Sequence, residues 1–298
     1  MAKPFLKWAG GKRQLLNEIS SRFPTDLESY STYAEPFVGG GAVLFHLLDK
    51  YEFDKVHVFD INPELTLCYE MLKESSSKVW TQLESMIEEY SPYGSDERKR
   101  YYYSTRDAWN SGVSKLKSMG KNEKINRVAQ TIFLNKTCFN GLFRVNSKGE
   151  FNVPLGSYKN PSFPSEGDLQ SVQSALEKVT IHLGSFETSK ELIDETTFIY
   201  LDPPYRPLSE TSHFVSYSKG TFDDDDQRRL ATFVHEVHNT GAKFILSNSD
   251  PKNTMDDDEF FDDLYSEFSI DRILCNRSIN SKPSKRGPIT ELLIGNCW

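Results

Sequence analysis

Two strand-to-helix transitions close together near the start of the chain leave few folds open. Residues 31–45 run as a short strand into Gly39-Gly40-Gly41, then into Ala42, Val43, Leu44, Leu47 and Leu48, the apolar face of a helix. Lys55-Val56-His57-Val58-Phe59-Asp60 alternates as a strand and ends on an acid. Asn62-Pro63 then opens a helix bearing Leu65, Leu67, Tyr69 and Leu72. Strand, helix, strand, helix at this spacing predicts a parallel sheet with right-handed crossovers. The alternation returns with strands at 179–183 and 198–201, a helix at 223–239, and strands at 243–247 and 291–295. The four acids leading the 223–239 helix suit the positive end of its dipole. A short helix is expected at 12–21, with Leu15, Leu16 and Ile19 at helical spacing. The expected fold class is α/β, with a doubly wound, mostly parallel sheet.

From about 75 to 165 the pattern changes. Polar, helix-like segments at 78–90, 96–109 and 122–134 lead into a stretch punctuated by glycine and asparagine, and residues 144–153 read as a hairpin turning at 147–149. The expectation is therefore one α/β domain from residues 1–74 and 166–298, interrupted by a second domain at 75–165. Charge marks the same segment. The chain carries a net charge of −8, which argues against a polyanionic partner, yet residues 95–160 hold 13 Lys and Arg against 5 Asp and Glu. Residues 272–290 add Arg272, Arg277, Lys282, Lys285 and Arg286 with no acid. Two basic segments on an acidic body fit a phosphate backbone, and they fit a solvated helix face as well. The 38 aromatic residues exclude a disordered chain. No apolar run approaches the ~18 residues of a membrane helix. The first residues carry Lys3, Lys7, Lys12 and Arg13 without an apolar stretch, and Cys68, Cys138, Cys275 and Cys297 form no CxxC pair. A cytoplasmic, reduced protein without a structural zinc is expected.

Three constellations carry chemistry. In Glu35-Pro36-Phe37-Val38-Gly39-Gly40-Gly41 the glycines allow a ligand close to the backbone, and Asp60, 21 residues after Gly39, can accept both hydroxyls of a ribose. Leu44 stands where a dinucleotide motif needs its third glycine, and no GK[ST] follows, so adenosine without phosphates fits best; a tight structural turn is the plain alternative. Asp202-Pro203-Pro204-Tyr205 stands where an apolar strand ends, the place where open parallel sheets bind ligands. Its prolines remove backbone donors, leaving a carbonyl and a carboxylate as acceptors beside a stacking ring. Such a site suits a planar group offering an amino donor. Lys7-Trp8-Ala9-Gly10-Gly11-Lys12 sets bases and an indole around a glycine pair open to a carboxylate or phosphate.

FLKWAGGK (residues 5–12), EPFVGGGAV (35–43), FDIN (59–62), FNGLFRVNSKGEFNVPLGSY (139–158) and LDPPY (201–205) follow one another in this order. Together they closely resemble the Dam-like DNA adenine-N6 methyltransferases, in the group whose target-recognition segment lies between the cofactor motif and DPPY. The resemblance covers nearly the whole chain. It implies a Rossmann-like methyltransferase fold and S-adenosylmethionine as methyl donor. It places Trp8, Lys12, Glu35, Phe37, Gly39, Gly40, Gly41, Asp60, Phe186 and Asp202 at the cofactor, with Lys12 near its carboxylate. It makes Asp202, Pro203, Pro204 and Tyr205 the catalytic motif: Asp202 and the Pro203 carbonyl accept from the target N6 amino group, and Tyr205 stacks on a base flipped out of the duplex.

DNA contacts are implied for Lys7, Phe139, Asn140, Leu142, Arg144, Asn146 and Pro154, and for Lys282, Lys285 and Arg286 at phosphates. Phe139, where many relatives have tyrosine, wedges beside the vacated base and Asn140 faces the orphan partner. Arg144 reads guanine, while Leu142 and Pro154 touch thymine methyls. GATC is the expected site. The expected partner is double-stranded DNA, bound by a monomer, with a restriction endonuclease as a functional counterpart left open. Neither metal nor membrane is expected.

Other readings are an RNA adenine or glutamine-amide methyltransferase, and a DNA-binding module without catalysis. Amide enzymes usually carry Asn at position 202, and intact Asp202, Tyr205, Asp60 and Lys12 speak against lost catalysis. A restriction nuclease would need a PD…(D/E)xK cluster. His235 and His238 lack a third ligand nearby, and residues 223–226 and 256–259 lack a calcium-loop pattern.

Overall fold

The computed structural model describes residues 1–206, 222–276 and 288–298, and in it the chain sorts into two units, each drawn from separated stretches of sequence. One unit comprises Lys12–Val38, Tyr51–Asp60 and Gly184–Trp298. In it β1 (Thr32–Glu35), β2 (Lys55–Asp60), β4 (Thr197–Leu201), β5 (Lys243–Ser249), β6 (Ser269–Asn276) and β7 (Pro288–Gly295) run in the order β2-β1-β4-β5-β7-β6. The pairings among β2, β1, β4 and β5 are parallel, with Tyr33 opposite both Val56 and Phe198. β7 runs antiparallel to β5 and to β6, placing Ile294 between Leu246 and Ile270. The mostly parallel sheet read from the alternation is therefore present, closed at one side by an antiparallel pair.

All five residues of β4 are buried. That is what a continuous Thr-Phe-Ile-Tyr-Leu run needs when a parallel sheet is covered on both faces. Beside this sheet stand the short α1 (Leu16–Ser20) and α8 (Phe260–Leu264) and the longer α7 (Asp224–Asn239). The leading acids of α7 form a cap: Asp223 accepts from the backbone N–H groups of Asp225 and Asp226, and Asp226 returns a bond to the N–H of Asp223. Its Leu230, Phe233, Val234 and Val237 share one core with Phe244, Leu246 and Leu292, each such burial contributing about 1.5–3 kcal/mol.

The other unit comprises Met1–Gly11, Gly39–Lys50 and Ile61–Leu183. It holds α2 (Ala42–Leu48), α3 (Pro63–Tyr90), α4 (Ser95–Ser111), α5 (Lys121–Thr137), α6 (Glu166–Ala175) and β3 (Val179–Leu183). The two helices expected after Asn62 are one, kinked at Ser75 (φ −155°, ψ 41°). At the kink Gln173 donates to the Lys73 carbonyl and accepts from the Ser76 hydroxyl, so the carbonyl keeps a partner. The expected hairpin is reduced to a bridge between Val145 and Phe151, turned by Gly149 at φ 79°. Phe151 and Val153 pack into a small core with Tyr102, Trp109 and Leu134. α6 and β6 went unread in the sequence. Among the described residues no helix is long and apolar enough to cross a membrane.

Candidate active site

β1 and β4 are neighbours, yet the chain leaves them toward opposite sides of the sheet, β1 for β2 and β4 for β5. Such a switch point opens a crevice beyond the carboxyl ends of the strands. Glu35 ends β1 there and Asp202 directly follows β4. Glu35 is buried, and its Oε2 accepts the Tyr33 hydroxyl at 2.7 Å. Burial and that carboxylate hold the Tyr33 hydroxyl protonated, well above the ordinary tyrosine range.

Asp202 Oδ1 lies 2.8 Å from Nζ of Lys12, a lysine only 4% exposed. Burial pushes the Asp202 carboxyl above the usual carboxylate value; the Lys12 ammonium opposes the rise and the charge of Glu291 adds to it. The same ammonium sits 4.5 Å from the centre of the Tyr205 ring. The Tyr205 hydroxyl donates to Glu291 Oε2 at 2.6 Å, and burial with the charges of Asp202 and Glu291 keeps it protonated.

The proline loop is clamped from behind. Gln227 Nε2 donates to the Pro204 carbonyl at 3.1 Å, and Asn248 Nδ2 donates to Gln227 Oε1 at 3.1 Å, both side chains being fully buried. Arg206 reaches Asp224 through Nε (2.8 Å) and Nη2 (3.0 Å), reaches Asp258 through Nη1 (2.7 Å), and lies over Phe260. Pro203 is buried and Pro204 exposed. A carboxylate, a fixed loop and an aromatic ring together can hold a planar amine by its hydrogens and its face. Sequence reasoning missed Gln227, Asn248, Arg206 and Glu291, whose only mark was polarity within or beside apolar runs.

Elsewhere in this unit Phe37 stacks on Phe186 (5.6 Å, 29°), and Phe186 sinks into the core against Phe233. Asp60 closes β2 half-buried, its carbonyl receiving the Gly184 N–H at 3.1 Å.

In the other unit Trp8 lies on the glycine turn. A Cβ added at Gly39 would stand 3.0 Å from the indole, and one at Gly41 would stand 2.5 Å from the Tyr69 hydroxyl. Both glycines have positive φ (47° and 73°), so the turn needs them for conformation and for space, and Gly40 packs on Trp8 as well. Tyr69 donates to the Gly39 carbonyl at 3.0 Å. Trp8 also stacks on Phe143 (5.3 Å, 24°). The buried Asn135 side chain accepts from the Lys7 N–H at 2.8 Å and donates at 2.9 Å to the carbonyls of both Lys7 and Gly141. It thereby ties FLKWAGGK to the FNGL turn, two motifs far apart in the chain. Lys7 Nζ rests over the Tyr158 ring at 4.7 Å.

That turn displays its side chains outward. Phe139 is 51% exposed; Asn140 is exposed at φ 58°, a left-handed conformation unusual for a non-glycine residue. Arg144, Asn146 and Pro154 are exposed and Leu142 is half-buried. Arg144 Nε donates to Asn152 Oδ1 at 2.7 Å, while Asn146 Oδ1 accepts from the N–H groups of Lys148 and Glu150 and so builds the hairpin turn. Not every base of the band is surface charge. Arg127 is buried on Glu64, and in the later basic segment Arg272 is paired with Asp250 and Asp262. Lys282, Lys285 and Arg286 lie outside the described residues.

Residues 8–279 match the family described as D12 class N6 adenine-specific DNA methyltransferase. The chain is 48% identical to the Type II methyltransferase M.MjaIII of Methanocaldococcus jannaschii over 99% of each chain. It is 36% identical to the Type II methyltransferase M1.LlaDCHI of Lactococcus lactis subsp. cremoris, covering 99% of this chain and 95% of that one. With a DNA adenine methylase of Haemophilus influenzae it shares 32% identity over 98% of this chain and 92% of that one.

Proposed function

The chain belongs to the D12-class N6 adenine-specific DNA methyltransferases, and from that premise we propose that it uses S-adenosylmethionine to methylate N6 of an adenine flipped out of duplex DNA at GATC. The observation that carries the chemistry is Asp202 at the switch point, 2.8 Å from Lys12 and beside the tethered ring of Tyr205. When bound, the cofactor supplies an electrophilic sulfonium methyl. The residues fit such a ligand: a glycine turn with two left-handed positions closed over by an indole leaves no room for a side chain. Trp8, Lys12, Glu35, Phe37, Gly39, Gly40, Gly41, Asp60 and Phe186 hold the cofactor in this reading, Asp60 at its ribose and Lys12 at its carboxylate.

An adenine inside a duplex cannot present its amino group in line to a sulfonium methyl, so the base leaves the stack. Its nitrogen lone pair is delocalised into the ring. Asp202 and the Pro203 carbonyl, accepting its two hydrogens, favour a more tetrahedral and nucleophilic nitrogen. Pro204 stiffens the loop, Tyr205 stacks on the base, and positioning supplies much of the rate.

Residues 75–165 read the DNA, and residues 1–74 and 166–298 hold the cofactor and perform the chemistry. Phe139 wedges beside the vacated base and Asn140 faces its orphan partner. Arg144 reads guanine, Leu142 and Pro154 meet thymine methyls, and Lys7 and Asn146 add contacts. The exposure of Phe139, Arg144 and Pro154 on one short turn and hairpin supports this. Lys282, Lys285 and Arg286 hold phosphates. The enzyme works as a monomer in the cytoplasm, with a restriction endonuclease as its functional counterpart if it serves a restriction-modification system.

The test is labelled-methyl transfer to matched duplexes with and without GATC, with Asp202→Ala as control. Transfer confined to the GATC duplex and lost in the variant is expected. Transfer to both duplexes would overturn the assigned site, and transfer to neither would overturn the reaction.

A further inference from the structure

We infer that Glu291 is a positioning residue for methyl transfer, holding the Tyr205 hydroxyl so that the ring presents one fixed face to the target base. The inference rests on the proposed stacking role of Tyr205 and goes beyond it by naming what orients that ring.

Topology explains why this strand supplies the residue. In a parallel strand the last residues reach the carboxyl end of the sheet, where Asp202 and Tyr205 stand. β7 runs the other way, so its early residues arrive there: Glu291 lies opposite Ser249, the last residue of β5. On its other side Glu291 lies opposite Ile273 of β6, so its backbone is held in ladders on both edges. Both carboxylate oxygens are engaged as well. Oε2 accepts the Tyr205 hydroxyl at 2.6 Å and Oε1 accepts the Cys275 thiol at 3.3 Å.

A tyrosine side chain turns about two torsions; a contact at its far tip fixes the first, and because a phenol O–H prefers the plane of its ring, a fixed acceptor also favours one ring orientation about the second. Tyr205 is thereby tethered at the proline loop and at the hydroxyl, with the Lys12 ammonium over its ring. The carboxylate also makes the phenol a committed donor, since burial and the Glu291 charge hold it protonated. A phenol donating to an anion has a more electron-rich ring, which suits a base whose N6 gains positive charge as it forms its bond to the methyl carbon. An ångström of misplacement in such a site can cost on the order of 10²-fold in rate.

Single-turnover methyl transfer to a cognate duplex and equilibrium cofactor binding are measured for wild type, Glu291→Gln, Glu291→Ala, Tyr205→Phe and the Tyr205→Phe/Glu291→Ala double variant. Glu291→Ala is expected to slow transfer roughly 10–100-fold while cofactor affinity stays within about twofold. Glu291→Gln keeps an acceptor for the phenol and is expected to recover most of the rate. Because Glu291 acts through the hydroxyl, the double variant is expected to be no slower than Tyr205→Phe alone. Losses that multiply in the double variant overturn the inference. So does a Glu291→Ala enzyme with wild-type rate, or one whose defect lies in cofactor affinity. An inactive wild type would sink the proposed reaction itself; an active wild type with independent losses sinks only the role of Glu291.

Discussion

Replacing Arg127 with methionine should destabilise the protein by about 3–5 kcal/mol, because it leaves the Glu64 carboxylate buried without its counter-charge. Arg127 is 2% exposed and Glu64 is 7% exposed. Solvent therefore screens little of the interaction. The guanidinium meets Glu64 through Nε (2.8 Å) and Nη2 (2.6 Å), donates through Nη1 to the Trp109 carbonyl (2.7 Å), and lies 4.0 Å from the Trp109 ring. It joins α3, α4 and α5, the last of which leads directly into the Phe139 turn. A loss of that size lowers the melting temperature by about 5–8 °C, read by calorimetry. The decisive variant is Glu64→Leu/Arg127→Met. With both charges gone the desolvation penalty goes too, and more than half of the lost stability should return; the remainder is the lost Nη1 bond to the Trp109 carbonyl, which keeps the Gly112 N–H, about 0.5–1.5 kcal/mol. A double variant as unstable as Arg127→Met would refute the reasoning, as would a single variant that loses less than ~1 kcal/mol.

Lys12→Met removes the charge that opposes the upward push on the Asp202 carboxyl. If Asp202 accepts from N6 as a carboxylate, the acidic limb of the single-turnover rate should move to higher pH at saturating cofactor; movement to lower pH would contradict the assignment. Gly41→Ala places a Cβ 2.5 Å from the Tyr69 hydroxyl at φ 73°, and should cost about 1–3 kcal/mol of stability and weaken cofactor binding measured by titration calorimetry. Arg144→Ala should cost ~1–3 kcal/mol of discrimination at one base pair in a substitution series. Uniform weakening across sequences, with a shallower salt dependence, would make Arg144 a phosphate contact.

The order of elements around Gly39–Gly41, Asp60 and Asp202 was legible along the chain because each depends on neighbours in sequence. Strand runs, helix caps such as Asn62 and Asp223, and glycines at left-handed turns announce themselves within a few residues. Helices α3, α4 and α5 were visible from their spacing; the short α6 and the β6 edge strand, with weaker periodicity, were not. What local pattern could not hold was partnership. Glu64 and Arg127 lie 63 residues apart, Lys7 and Asn135 128 apart, and Tyr205 and Glu291 86 apart. A lone glutamate before Leu-Leu-Ile-Gly has no periodicity and no motif to mark it. The charge band shows the same limit, for Arg127 contributes to it in composition while the packing of α3 against α5 hides it in the core. Local sequence sets backbone preferences over a turn or two; which charges meet, and which are shut away from water, follows from where the sheet and helices bring distant residues together.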